Sequence, residues 1–271
     1  MKIARAFGYA RSVRAFLLLV TILTAAAIVW INADSTSPER RTRASPVPVE
    51  PEKRDEVDRM RAELASHPDD ERELLRRLTK LGPRAAPAIP EIAQRLADFG
   101  RYKHEYEQKV LMSGRLAITN WIRIDFDCGW ALVAIGEKSI PTLIELLGSE
   151  YRDVRSVARR SLRELAPASI PAVMDAAGDS NEHRRAGVAD LLGLGAATHP
   201  EAFDTLIRLL DDEDSWVRCR AYKSLPKFGA LAVPVIGTRM RGAHRKDATD
   251  ALVRLPRALR RRAAAVYRQS K

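Results

Sequence analysis

Side chains that carry enzymatic or metal chemistry are present in this chain, but their spacing does not assemble them. The five histidines stand at positions 67, 104, 183, 199 and 244, and none has a second histidine three or four residues on. That spacing would set two imidazoles on one helical face toward a metal. Cys128 and Cys219 are far apart and belong to no Cys-x-x-Cys, so neither a metal site nor a disulfide framework is expected. Their positions on separate helices place them beyond bridging distance, which makes buried free thiols the expectation. The carboxylate pairs Asp69-Asp70 and Asp211-Asp212 precede helical patterns, where they favour the helix dipole. No Gly-x-Ser-x-Gly and no glycine-rich phosphate loop occurs. Neither catalysis nor a cofactor or metal is expected from these residues.

What the spacing does offer is chemistry of contact. Arginine recurs at one position of a repeated helical pattern, at Arg155, Arg184, Arg218 and, in a worn copy, Arg245. Six of the sixteen aromatics fall between 99 and 130, among them Tyr102, Tyr106, Trp121, Phe126 and Trp130. Tyrosine and tryptophan serve as interface anchors. The same cluster also suits the internal packing of an added helix, and both readings stand.

The elements that would position these residues are set out by a recurring heptapeptide: LGPRAAP (81–87), IGEKSIP (135–141), LAPASIP (165–171), LGAATHP (194–200) and FGALAVP (228–234). Three residues before each stands a leucine (Leu78, Leu132, Leu162, Leu191, Leu225), and four before that a small or apolar residue (Leu74, Cys128, Ala158, Gly187, Ala221). The spacing 0, +4, +7 is one face of an α-helix. After each proline a second apolar periodicity begins, as at Leu143, Leu146 and Leu147. Proline suits a first helical turn, where its missing N–H costs nothing. Gly82, Gly136, Gly195 and Gly229 stand where a helix C-terminus wants a positive φ. Ser180 and Asp214, four before their unit's arginine, suit helix N-caps. Each heptapeptide therefore reads as the turn of a helical hairpin. From residue 135 the units start at 135, 165, 194 and 228, a period at which single units cannot bury their own apolar face and must stack. Between the first two units an insertion covers roughly 97–122.

Residues 15–31, AFLLLVTILTAAAIVWI, contain no charge and follow a basic segment, residues 1–14. As a helix they would span about 26 Å, near the short end for a hydrocarbon core. The expectation is a transmembrane signal-anchor helix with a cytoplasmic N-terminus and the remainder extracytoplasmic. The alternative is a signal peptide cleaved after Ala33, giving a secreted chain. Residues 34–55 hold four prolines and read as an extended linker, leaving 56–271 as the repeat domain. The net charge of +11 is concentrated at the two ends, with eleven Lys/Arg from Arg239 onward against Asp247 and Asp250. The body between is slightly acidic, so a nucleic-acid partner is not expected.

Segments such as SWVRCRAYKSLPKFGALAVPVI and RDVRSVARRSLRELAPASIPAVM resemble the HEAT repeat, in the short variety named after phycobilisome lyases, over roughly residues 70–260. The resemblance implies an all-α fold, an α-solenoid of stacked hairpins, here preceded by the transmembrane helix. It also implies that the repeat arginines are structural, bonding acids or carbonyls of the adjacent unit. Similar proteins include deoxyhypusine hydroxylases, which hold two irons with four His-Glu pairs. This chain has one such pair, His104-Glu105. The function expected is a membrane-tethered scaffold that binds a protein partner outside the cytoplasm, with a bilin-lyase-like enzyme or a nucleic-acid-binding repeat protein as alternatives.

Overall fold

A computed structural model describes residues 51–66, 70–113, 124–241 and 244–269. The chain divides into residues 1–49 and Glu50–Lys271, and the described residues all belong to the second unit. Thirteen α-helices occur among the described residues, with no strand. In chain order they are α1 (Pro51–Ala65), α2 (Glu71–Leu81), α3 (Ile89–Ser113), α4 (Ile124–Ile135), α5 (Ile140–Leu146), α6 (Arg152–Glu164) and α7 (Ile170–Asp175). They continue as α8 (Glu182–Leu192), α9 (Ala202–Leu209), α10 (Ser215–Ser224), α11 (Ala232–Arg239), α12 (Arg245–Arg254) and α13 (Arg257–Gln269).

The helices form two layers because each carries one apolar stripe. In α6 the buried residues are Val154, Val157, Ala158, Ser161 and Leu162, the i, i+3, i+4, i+7, i+8 set of an amphipathic helix. The even-numbered helices α2 to α12 each pack on the next of their kind, and each from α4 onward also packs on the odd-numbered helix that precedes it. α1 precedes the first hairpin and packs against α2 and α3. The leucines and small residues at the repeated spacing, from Leu74 and Leu78 to Ala221 and Leu225, are all buried in one shared core. This stacked α-solenoid is the arrangement that the 3.6-residue period and the recurring turn imply.

The turns follow the heptapeptide with variations. Gly82, Gly136 and Gly229 have φ of 57, 85 and 57, a region closed to side chains with a Cβ. Gly195 does not share it, because Gly193–Ala197 continues α8 as a 3₁₀ turn. Pro141 and Pro171 are the second residues of α5 and α7. In the first copy the helix opens on Ile89-Pro90, and Pro87 sits inside a 3₁₀ stretch, Gly82–Ala88. The serines of the two Ser-Ile-Pro copies bridge their turns: Ser139 and Ser169 each donate 2.8 Å hydrogen bonds to Leu132 O and Leu162 O. They satisfy carbonyls that the ends of α4 and α6 would otherwise orphan.

Several expectations need correction. The single-pass membrane placement is overturned on this point: among the described residues no helix is long and apolar enough to cross a membrane. The 25-residue α3 has the length, but charges from Glu91 to Lys109 recur along it. Residues 15–31, on which that expectation rested, lie outside the described residues. The expected linker ends early, since α1 begins at Pro51. Most of the 97–122 insertion proves to be the C-terminal part of α3, which packs over α6: a Cβ on Gly100 would meet Val154 Cγ2 at 2.5 Å. Ser180 is not a cap. Asn181 caps α8 by accepting from Arg184 N at 3.0 Å, whereas Asp214 caps α10 as expected, accepting from the N–H groups of Trp216 and Val217. Cys128 is buried, and burial pushes its thiol pKa up. Cys219 is only half-buried.

Candidate functional site

Three consecutive helices of the even-numbered layer, α6, α8 and α10, build a trough of ≈ 630 Å³. Its form follows from side-chain size. α6 raises Arg152, Arg155, Ser156 and Arg159 on one side, and α10 raises Trp216 and Arg220 on the other. Between them α8 presents Ala186 and Gly187, with Glu182, His183 and Asp190 on either side, so the floor is low at those two small residues. Leu147 completes the floor, and a Cβ on Gly187 would meet its Cδ2 at 2.9 Å.

Two of the trough's three acids, Asp190 and Asp214, are engaged, and Glu182 is exposed. Asp190 accepts from Arg159 at 2.9 Å and from Arg220 at 2.8 Å, joining α6 to α10 across α8. Asp214 spends its carboxylate on the start of α10. Arg155 makes no ion pair among the described residues and donates to Ser149 O and Glu150 O at 2.6 and 2.7 Å. Its pKa is lowered, first by burial and then by the like charges of Arg152 and Arg159. Arg152 is exposed and has no ion-pair partner among the described residues. Trp216 is 51% exposed, with the Arg220 guanidinium 4.4 Å from its ring centroid and Lys223 Nζ at 5.9 Å. Cation–π contact of this kind steadies an indole that is half in solvent.

Of the aromatic residues singled out from the sequence, two share a cleft. Phe126 and Trp130 lie on α4 and line a shallow cleft with Val157 and Arg160 of α6, where the Arg160 guanidinium stands 4.3 Å over Phe126. Trp130 is 51% exposed. Tyr102, 62% exposed, and half-buried Tyr106 are on α3 and do not line that cleft. Trp121 lies outside the described residues. His104 of the lone His-Glu pair stacks near Tyr151, with ring centroids 5.9 Å apart. Among the described residues no group of three or more His, Cys, Asp or Glu is placed to hold a metal ion.

The repeat arginines show a one-residue slip. Arg155 and Arg218 each donate through Nη1 to the carbonyls five and six residues earlier, those of the loop entering their own helix. In α8 that pair of bonds is made by Arg185, to Asp179 O and Ser180 O. Arg185 is therefore the equivalent residue, and Arg184 instead pairs with Asp179 and reaches Glu145 O of the preceding unit. The bonded carbonyls thus belong mainly to the connecting loop rather than to a neighbouring helix. Arg245 opens α12, is exposed, and makes no ion pair among the described residues. Sequence reading missed Arg185, Asp190, Trp216 and Arg220. A tryptophan two before a repeat arginine was the only signal for the last two.

The repeat geometry matches an established description over part of the chain. Residues 170–267 match the family model for HEAT repeats. The matched span runs from α7 into α13, so α8 and α10 of the trough lie within it and α6 precedes it. Among curated proteins, none matches. Among solved structures, a designed armadillo repeat protein in complex with the peptide (KR)4 is similar at 16% identity, over 78% of this chain and 99% of that one, with a TM-score of 0.35. Human deoxyhypusine hydroxylase in complex with glycerol is similar at 16% identity over 80% and 97%, with a TM-score of 0.35. The phycocyanin lyase complex of CpcE and CpcF from Nostoc sp. PCC7120 is similar at 17% identity over 85% and 92%, with a TM-score of 0.32. At these scores the likenesses carry no argument, and the fold stands on its own helix order and core.

Proposed function

We propose that the chain is a helical-repeat scaffold that binds a protein partner, taking an extended segment of it into the trough over α6, α8 and α10, and that it performs no catalysis of its own. The observation that carries this reading is a half-exposed indole, braced by Arg220 and Lys223, beside a floor of Ala186 and Gly187. Tryptophan and arginine dominate interface hot spots. A low floor lets a partner's backbone approach closely. Asp190 and Asp214 are engaged within the scaffold, while Arg152 and Arg155 make no ion pair among the described residues and face the opening together with the exposed Glu182. Phe126 and Trp130 on the α4 side of α6 would extend the contact.

A displayed library of random peptides selected on the full chain tests the reading. Enriched peptides are expected to bind at least about tenfold more weakly to Trp216→Ala, the size of a hot-spot loss, with the unfolding midpoint unchanged. Enrichment of no peptide, or binding indifferent to that substitution, would refute the trough as the site.

A further inference from the structure

The arginines of this protein divide into two populations. Along the stack many meet carboxylates, as do Arg61 with Glu91 at 2.8 Å, Arg72 with Asp127 at 2.6 Å, Arg159 and Arg220 with Asp190, Arg185 with Asp212, and Arg239 with Asp211, whereas Arg152, Arg155 and Arg218 make no ion pair among the described residues. In the terminal hairpin α12–α13 the pattern stops. Arg254, Arg257, Arg260, Arg261, Arg262 and Arg268 are all exposed, and none makes an ion pair among the described residues. Among the described residues Arg260 and Arg268 donate to carbonyls of their own hairpin, Leu255 O and Ala264 O. No acidic residue occurs from 254 to 269. At 100° per residue Arg257, Arg261 and Arg268 fall within roughly 40° of one another, in a stripe about 16 Å long.

We infer that this hairpin is a docking surface for the phosphate backbone of a nucleic acid, bound without regard to base sequence. Clustered cations of one sign repel one another and concentrate positive potential, which a polyanion relieves. Guanidinium forks suit phosphate oxygens in bidentate geometry.

Composition separates this occupant from the two other anionic surfaces. A protein interface has an apolar core with charges at the rim, whereas protein–DNA interfaces are far more positively charged. Among the described residues of this hairpin, Val253 is the one large apolar side chain that stands exposed. A membrane-surface helix needs a free apolar face. That of α13 is taken: Ala263 is buried, and Val266 packs so closely on α11 that a Cβ on Gly237 would meet it at 2.8 Å. Tyr267, the hairpin's aromatic, lies under the Arg241 guanidinium at 4.9 Å and offers no open platform for base stacking. Backbone contact with no base readout is what these residues provide. The surface shares no residue with the trough.

The test is binding of the full chain to a labelled duplex of about 20 base pairs over a series of salt concentrations. Three to five phosphate contacts predict a slope of log K against log salt of about −3 to −4.5. The variant Arg257→Gln with Arg261→Gln should reduce the steepness by about 2, while Trp216→Ala leaves it unchanged. Should that variant fail to melt like the parent protein, Arg254→Gln with Arg262→Gln carries the same expectation. A slope near zero, or one that neither pair of substitutions alters, overturns the proposal. So does tighter binding, through the same arginines, of a polyglutamate peptide of equal charge or of phosphatidylserine-rich vesicles.

Discussion

Arg185 and Arg184 are neighbours in sequence with unlike fates. The Arg185 side chain is 8% exposed and lies fork to fork on Asp212, itself 7% exposed, at 2.8 and 3.0 Å. The hydrogen bonds that Arg185 donates to Asp212 raise its pKa, against the lowering effect of burial. It also closes the loop before α8 through two carbonyls. The Arg185 contact with Glu213 adds little, since that carboxylate is largely in solvent. Arg184 holds Asp179 at a site where both side chains are about a quarter exposed. Removing one member of a buried pair strands the other, so Arg185→Ala is expected to cost about 3–5 kcal/mol. Arg184→Ala should cost about 1 kcal/mol or less. Urea unfolding of the two variants measures the difference, and equal losses would contradict the assignment. The repeated arginine was visible in the sequence. Which of two adjacent arginines fills the position was not, because an equally spaced pattern can be slid by one residue until the helix is packed.

At the scale of the element, the hairpin turn was legible because its determinants are local. Glycine where φ must be positive, proline where a helix opens, and apolar residues at helical spacing act within a few residues of one another. Gly136 isolates the backbone component of that turn. Its φ is 85, ψ is −145, and an added Cβ would meet nothing within 4 Å. Gly136→Ala should therefore cost about 1–3 kcal/mol from conformation alone. Gly178, where a Cβ also meets nothing and φ is not positive, should accept alanine with little change. Calorimetric midpoints decide this, and parity between the two would remove the special role given to the turn. Gly195 shows where local reasoning stops. The same Leu-Gly motif continues as a 3₁₀ turn there, Gly193–Ala197, and the Lys227 side chain lies close over Gly193.

For the whole molecule, stacking makes stability a matter of neighbours. α8 has packed helices on both sides, and seven of its eleven residues are buried. α13 ends the described stack and buries Ala263 alone in full. Hydrogen exchange should show amides of α12 and α13 opening at lower free energy than those of α8. Uniform protection along the stack would mean that the hairpins open as one cooperative unit.

The amino-acid sequence by itself determined that this chain makes helices, pairs them into hairpins and stacks the hairpins, because those outcomes depend on periodicity and on turn residues acting at short range. Only the tertiary structure decided that Arg152, Asp190 and Trp216 share one trough, that Asp212 lies against Arg185, and that the arginines of the last hairpin go without acids. Those relations join residues tens of positions apart, and they exist only once α6, α8 and α10 are packed side by side.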